Sequence, residues 1–128
     1  MINNKVVKLL AETERWKAIS TNLYDELCAW GTKEARCLCR HDDKTKDCLL
    51  DYKNAIASNL ISPRFELLLH CLWKAIAGNL YDELRARGKN AGYEDCLFKH
   101  EDGTKDCLLD YEDAMGWQRD PDIAGQNI

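Results

Sequence analysis

The sequence predicts an all-α protein: a four-helix bundle-like fold with internal pseudo-two-fold symmetry, made by tandem duplication of a long helix, a loop and a short helix. Three observations carry this expectation. Residues 16–56 recur at 73–115, apolar residues fall three or four apart through both long segments, and only two prolines interrupt 128 residues. A 3.6-residue period of apolar side chains is the mark of a helix with one buried face.

Aligning WKAISTNLYDELCAWG with WKAIAGNLYDELRARG, and CLCRHDDKTKDCLLDYKNAI with CLFKHEDGTKDCLLDYEDAM, matches 25 of the 36 aligned positions, within a first copy of 41 residues. The offset is 57 residues in the first block and 59 in the second, so the copies differ in length between Gly31 and Cys37, where a loop is expected. The chain reads as one domain, 1–128, with repeat 1 at about 5–57, a linker at 58–63, repeat 2 at about 64–116 and a tail at 117–128. A chain of this size can support one core.

The first long helix is predicted by Val6, Leu9, Thr13, Trp16, Ile19, Leu23, Leu27 and Trp30, and the second by Phe65, Leu68, Leu72, Ile76, Leu80 and Leu84. Ser62 and Pro63 supply an N-cap and a first-turn proline for the second. Gly31 and Gly88 stop the two helices at matching places, since glycine accepts the left-handed conformation of a helix C-terminus. Each should run about 24 to 28 residues, roughly 35 to 40 Å. The short helices are expected to start at Thr45 and Thr104, with the threonine as N-cap and Asp47 or Asp106 in the first turn. Leu49, Tyr52 and Ile56, and Leu108, Tyr111 and Met115, are spaced to face the long helices. One such hairpin has little to bury its apolar face against, so two must pack together, within a monomer or in a domain-swapped homodimer.

A formal charge of −4, with lysines and arginines interspersed among acids, argues against nucleic-acid binding. No apolar run approaches the length of a membrane span and the first residues lack a signal-peptide pattern, so a cytoplasmic protein is expected.

Seven cysteines are unusual for such a chain. Cys37, His41 and Cys48 align with Cys96, His100 and Cys107 as C-x3-H-x6-C, ligand types that zinc accepts. A closed zinc site takes four ligands; Cys39 could complete the first set, but Phe98 stands in its place in the second. The favoured reading of the same cysteines is inert core thiols; a disulfide such as Cys37 with Cys48, and thiols at Cys48 and Cys107 activated by a helix N-terminus, are the further alternatives. With no metal bound, no cofactor is expected.

Trp16 and Trp73, with Tyr24 and Tyr81, are candidates for contact with a protein or a stacked base, set against packing in the core. Trp30, aligned with Arg87, and Trp117 are candidates for exposure. Asp47 with Asp51, and Asp106 with Asp110, lie one turn apart on a helix face, where a helical metal-dependent hydrolase would carry E-x-x-E and E-x-x-D sets; solvated helix faces carry such acids, and the adjacent acids of NLYDEL, routinely. Glu66 and His70 read as a surface pair. The chain has no Gly-rich phosphate loop, no G-x-S-x-G and no H-E-x-x-H, so it is read as a non-enzyme.

Trp73, Ile76, Ala77, Leu80 and Leu84 with Leu108 and Tyr111, and Trp16, Ile19, Leu23, Leu27, Leu49 and Tyr52 in the other copy, resemble short uncharacterised bacteriophage proteins carrying W-x-x-I-A-x-x-L-x-x-x-L and a closing L-x-x-Y segment. The resemblance covers both copies; the duplication and the Cys/His sets depart from it. It implies an accessory protein in the cytoplasm of a host bacterium that occupies, and so blocks, a host (defence) protein. The alternatives are sequestration of a small nucleotide-like ligand between the repeats, and a zinc-stabilised structural module.

Overall fold

The computed structural model describes residues 4–31, 37–38, 40–41, 43–58, 66–89, 91–92 and 95–116, with the side chains of 4–6, 58 and 66–69 excepted. Among them are four helices and no strand: α1 (Asn4–Ala29), α2 (Cys48–Ser58), α3 (Glu66–Ala86) and α4 (Cys107–Met115). The protein is all-α. No described helix is long and apolar enough to cross a membrane.

The two long helices make the most extensive contact, packing Trp16, Ile19, Leu23 and Leu27 with Trp73, Ile76, Ala77, Leu80 and Leu84. The Lys74 ammonium lies over the Trp16 ring at 5.9 Å and Lys17 over Trp73 at 6.0 Å. Further along, Glu26 approaches Lys89 at 3.8 Å and Trp30 closes on Gly88. The C-terminal ends therefore meet, and α1 and α3 run in the same direction. At that end Gly31 (φ 93°) and Gly88 (φ 111°) are left-handed, as expected. Lys89 N–H donates to the Leu84 carbonyl and Gly88 N–H to Arg85, the paired bonds of a Schellman stop.

Each short helix lies against both long ones. Tyr52 of α2 stacks on Tyr24 of α1 at 4.4 Å and meets Trp73 of α3 edge-on at 5.9 Å. Tyr111 of α4 stacks on Tyr81 of α3 at 4.4 Å and meets Trp16 of α1 at 5.7 Å. The halves thus interdigitate.

Several local expectations are corrected. The short helices begin at Cys48 and Cys107, three residues after the threonines. The caps are aspartates: Asp106 accepts the Leu109 N–H and Asp47 the Leu50 N–H. Thr45 and Thr104 instead donate their hydroxyls to Asp51 and Asp110 at 2.9 Å, which gives these paired carboxylates a structural task. Helix α3 is described over Glu66–Ala86, and its expected start lies outside the described residues. Leu72 and Ile56 are exposed; Leu72 aligns with Arg15, also exposed, and Trp73 beside it takes the core position. His70 pairs with Glu12 of α1 at 3.2 Å, and the side chain of Glu66, its expected partner, lies outside the described residues. Ser62, Pro63, Phe65, most of the linker, Trp117 and the rest of the tail lie outside the described residues, as does Cys39.

Candidate metal centres

Cys37, His41 and Cys48 converge, and so do Cys96, His100 and Cys107; within each set one ligand atom per residue lies within 4.8 Å of the others. In both, the first cysteine and the histidine lie on the loop after a long helix, and the second cysteine opens a short one. The Cys37 N–H donates to the Lys46 carbonyl at 3.0 Å and the Cys96 N–H to Lys105 at 2.8 Å. These bonds fold the loop back on itself. The Cys48 and Cys107 N–H groups, which have no acceptor within their own helix because they begin it, donate to the Cys37 and Cys96 sulfurs at 3.2 Å. Bonds of this kind favour the thiolate a metal needs.

The sulfurs are 3.4 Å apart in the first set and 3.3 Å in the second. A disulfide requires about 2.05 Å, and the six described cysteines are free thiols. Two thiolates on a tetrahedral zinc, at about 2.3 Å each, lie about 3.8 Å apart, so a small outward movement would admit the ion. His100 is 4% exposed and neither ring nitrogen has a hydrogen-bond partner. Such burial normally costs about 1–3 kcal/mol and calls for a partner; a metal ion would supply one. His41 is buried too.

The pair in the second set divides one proton unequally. The Cys107 sulfur holds the Cys96 thiol down to about 6 against burial, helped by the Cys107 N–H, while Cys107 itself is pushed up. Burial pushes the Cys37 thiol up, opposed by the Cys48 N–H and sulfur. The sequence reading of an activated thiol at the helix start is not met at Cys107, which is pushed up; the lowered thiol of the second set is the loop cysteine, Cys96.

Both loops are held by the opposite half. Glu83 of α3 accepts the Leu38 N–H on both carboxylate oxygens at 2.9 Å. Glu26 of α1 accepts the Leu97 and Phe98 N–H groups at 2.9 Å. Both carboxylates are buried, so the second acid of NLYDEL is no solvated surface charge. Trp30 Nε1 donates to Glu26 and Arg87 Nε to Glu83, each at 2.9 Å. The aligned tryptophan and arginine orient the same carboxylate, and both are half-buried. Asn79 donates to Asp43 at 3.0 Å and Asn22 to Asp102 at 3.1 Å, tying the far ends of the loops. The sequence offered a signal for the glutamates: each stands on the apolar stripe, between Leu23 and Leu27 or between Leu80 and Leu84.

The other candidate residues lie elsewhere. Trp16, Trp73 and Tyr81 are buried in the core, and Tyr24 is half-buried against it. Tyr81 donates its hydroxyl to Glu112 and accepts from Arg85 at 3.3 Å. Phe98, where the first half has Cys39, sets its ring 5.2 Å from that of His100.

A cavity of about 550 Å³ opens beside the first set and is lined by Cys37, Leu38, Arg40, His41, Lys44, Thr45 and Lys46. Grooves of about 290 and 350 Å³ between elements of the two halves are bordered by carboxylates, among them Asp25 and Asp102 in one and Asp43 and Asp51 in the other. Comparison with known protein families, curated proteins and solved structures found no match to this chain.

Proposed function

We propose that this chain is a non-enzymatic helical binding module, built by internal duplication about a pseudo-two-fold axis and stabilised by two zinc ions, one in each Cys-His-Cys set. The observation that carries the reading is the convergence of two sulfurs and an imidazole at each loop, with the buried His100 nitrogens unpartnered. Thiolate and imidazole together suit zinc, which needs no fixed geometry and brings no redox chemistry. The metal would tie the loop of each half to the start of its short helix, and its binding energy would add to folding. Glu26 and Glu83 complete the arrangement by orienting the ligand loops, the task that surrounding hydrogen bonds perform at metal sites.

Elemental analysis of protein purified without a histidine tag should find two zinc ions per chain. Cys48→Ser and Cys107→Ser should each leave one. Well under one equivalent in the unmodified protein would overturn the proposal.

A second reading, that the module occupies a host protein in a bacterium, rests on the loops and on the resemblance to bacteriophage accessory proteins. Leu38 and Leu97 are 64% and 67% exposed at aligned positions next to a ligand cysteine, with Phe98 37% exposed beside them. Large apolar side chains held in water by an ordered loop are the raw material of an interface. Pull-down from bacterial lysate should lose its captured protein in a Leu38→Ser, Leu97→Ser double variant that keeps its zinc; capture that survives the change argues against this surface.

A further inference from the structure

We infer that the first metal centre keeps an exchangeable coordination position and binds a phosphate group in the cavity beside it, whereas the second centre is purely structural. The inference rests on the zinc reading and deepens it. Three protein ligands leave a tetrahedral zinc one position for water or a ligand. Cys37 and His41 both line the cavity of about 550 Å³, so a molecule within it reaches an ion held by them. That volume lies in the range of small-molecule sites.

Charge selects the ligand. Two thiolates cancel the charge of the ion, and the described lining of the cavity carries three cations, Arg40, Lys44 and Lys46, and no carboxylate, with Glu83 and Asp47 the acids that act on Cys37 from behind it. The grooves between the halves are bordered by acids instead and would repel a phosphate. Three cations of this kind are matched by the dianion of a phosphate monoester, which brings several acceptor oxygens for charge-assisted bonds.

Lys44 supplies an independent observation. Its backbone is left-handed (φ 65°), and its N–H donates to the His41 carbonyl at 2.9 Å. The aligned residue is Gly103 (φ 80°), which makes the same bond to His100 at 3.1 Å. Glycine occupies such a turn without the steric penalty a side chain incurs. A lysine at a turn that stability would assign to glycine fits a role in binding. The second centre keeps cations at two of the aligned positions, Lys99 and Lys105, but has Gly103 in place of Lys44 and Phe98 packed against the His100 ring, so it lacks the third cation and its histidine is covered.

The test uses the full chain loaded with cobalt(II), whose visible spectrum reports its ligands. Titration with inorganic phosphate should shift the absorption of one of two bound ions and saturate at one phosphate per chain. The triple variant Arg40→Ser, Lys44→Gly, Lys46→Ser should bind two cobalt ions as before and weaken phosphate binding by at least about tenfold, as lost charge-assisted bonds require. Phosphate that leaves the doubly loaded spectrum unmoved overturns the inference, as does unchanged affinity in the triple variant. So does a third thiolate at the first centre that disappears in Cys39→Ser, because Cys39 would then fill the fourth position. A chain that takes up no cobalt overturns the zinc reading itself.

Discussion

Glu26 accepts two backbone N–H groups and an indole N–H with no access to water, so its replacement leaves donors buried without partners. Glu26→Ala should cost about 3–5 kcal/mol, the loss expected when one side of a buried charged network is removed. Trp30→Phe, which keeps the ring and removes one bond, should cost about 1 kcal/mol beyond any change in packing. Urea unfolding checks both, and equal losses would mean that the carboxylate is held by less than its contacts suggest. The tyrosines give a prediction in pH. Burial, with the hydrogen bond to Glu112, pushes Tyr81 up to about 12, and burial pushes Tyr111 up to about 12. A folded-state value raised above the ordinary one near 10 contributes stability that is complete below pH 10 and is lost as pH rises towards 12. Tyrosinate absorbance from these rings should therefore appear late and together with loss of helical circular dichroism. Full ionisation near pH 10 with the helices intact would contradict the burial. The sequence gives no direct sign of either effect, because a glutamate or tyrosine on an apolar stripe reads only as a break or as packing until its partners, some seventy residues away in the case of Glu26, are in place.

The helices themselves were largely legible. Period and terminal glycines located α1, α3 and their ends because these are local properties of the chain. The short helices were placed three residues early because Thr and Asp both serve as N-caps, and the choice depends on where the loop leaves the backbone. Asp47 and Asp106 take the cap, while each threonine reaches forward to the next aspartate. Asp47→Ala should accordingly cost about 1 kcal/mol, with Thr45→Ala costing less, since it loses only a partly exposed bond. Chemical denaturation of the two variants decides between them. A larger loss for Thr45→Ala would restore the threonine as the cap. The Cys/His sets were legible as ligand types and spacing, yet nothing local could say that the sulfurs approach to 3.4 and 3.3 Å or that His100 is left without a partner. That knowledge comes from the loops being pinned by helices of the other half.

At the scale of the whole molecule this crossed pinning means that neither half contains its own fixings. The loop carrying Cys37 and His41 is held by Glu83 and Asn79 of α3, and the loop carrying Cys96 and His100 by Glu26 and Asn22 of α1. A fragment ending within the linker keeps Glu26 and Asn22 but loses the acceptor, Glu83, and the donor, Asn79, that its own loop requires, and its apolar face on α1 loses α3. Because residues 22, 26 and 38 align with 79, 83 and 97, a second copy of the fragment can offer the missing groups. Residues 1–58 alone should therefore fold as a homodimer, with Glu26 of each copy receiving the Leu38 N–H of the other. Dilution should release unfolded monomer, since such a dimer has no stable folded subunit. Sedimentation equilibrium combined with circular dichroism tests this, and Glu26→Ala in the fragment should abolish both association and helix. A fragment that is helical and monomeric at all concentrations would show that each half supports itself, and the crossed carboxylates would then be accessories to the fold rather than its fastening.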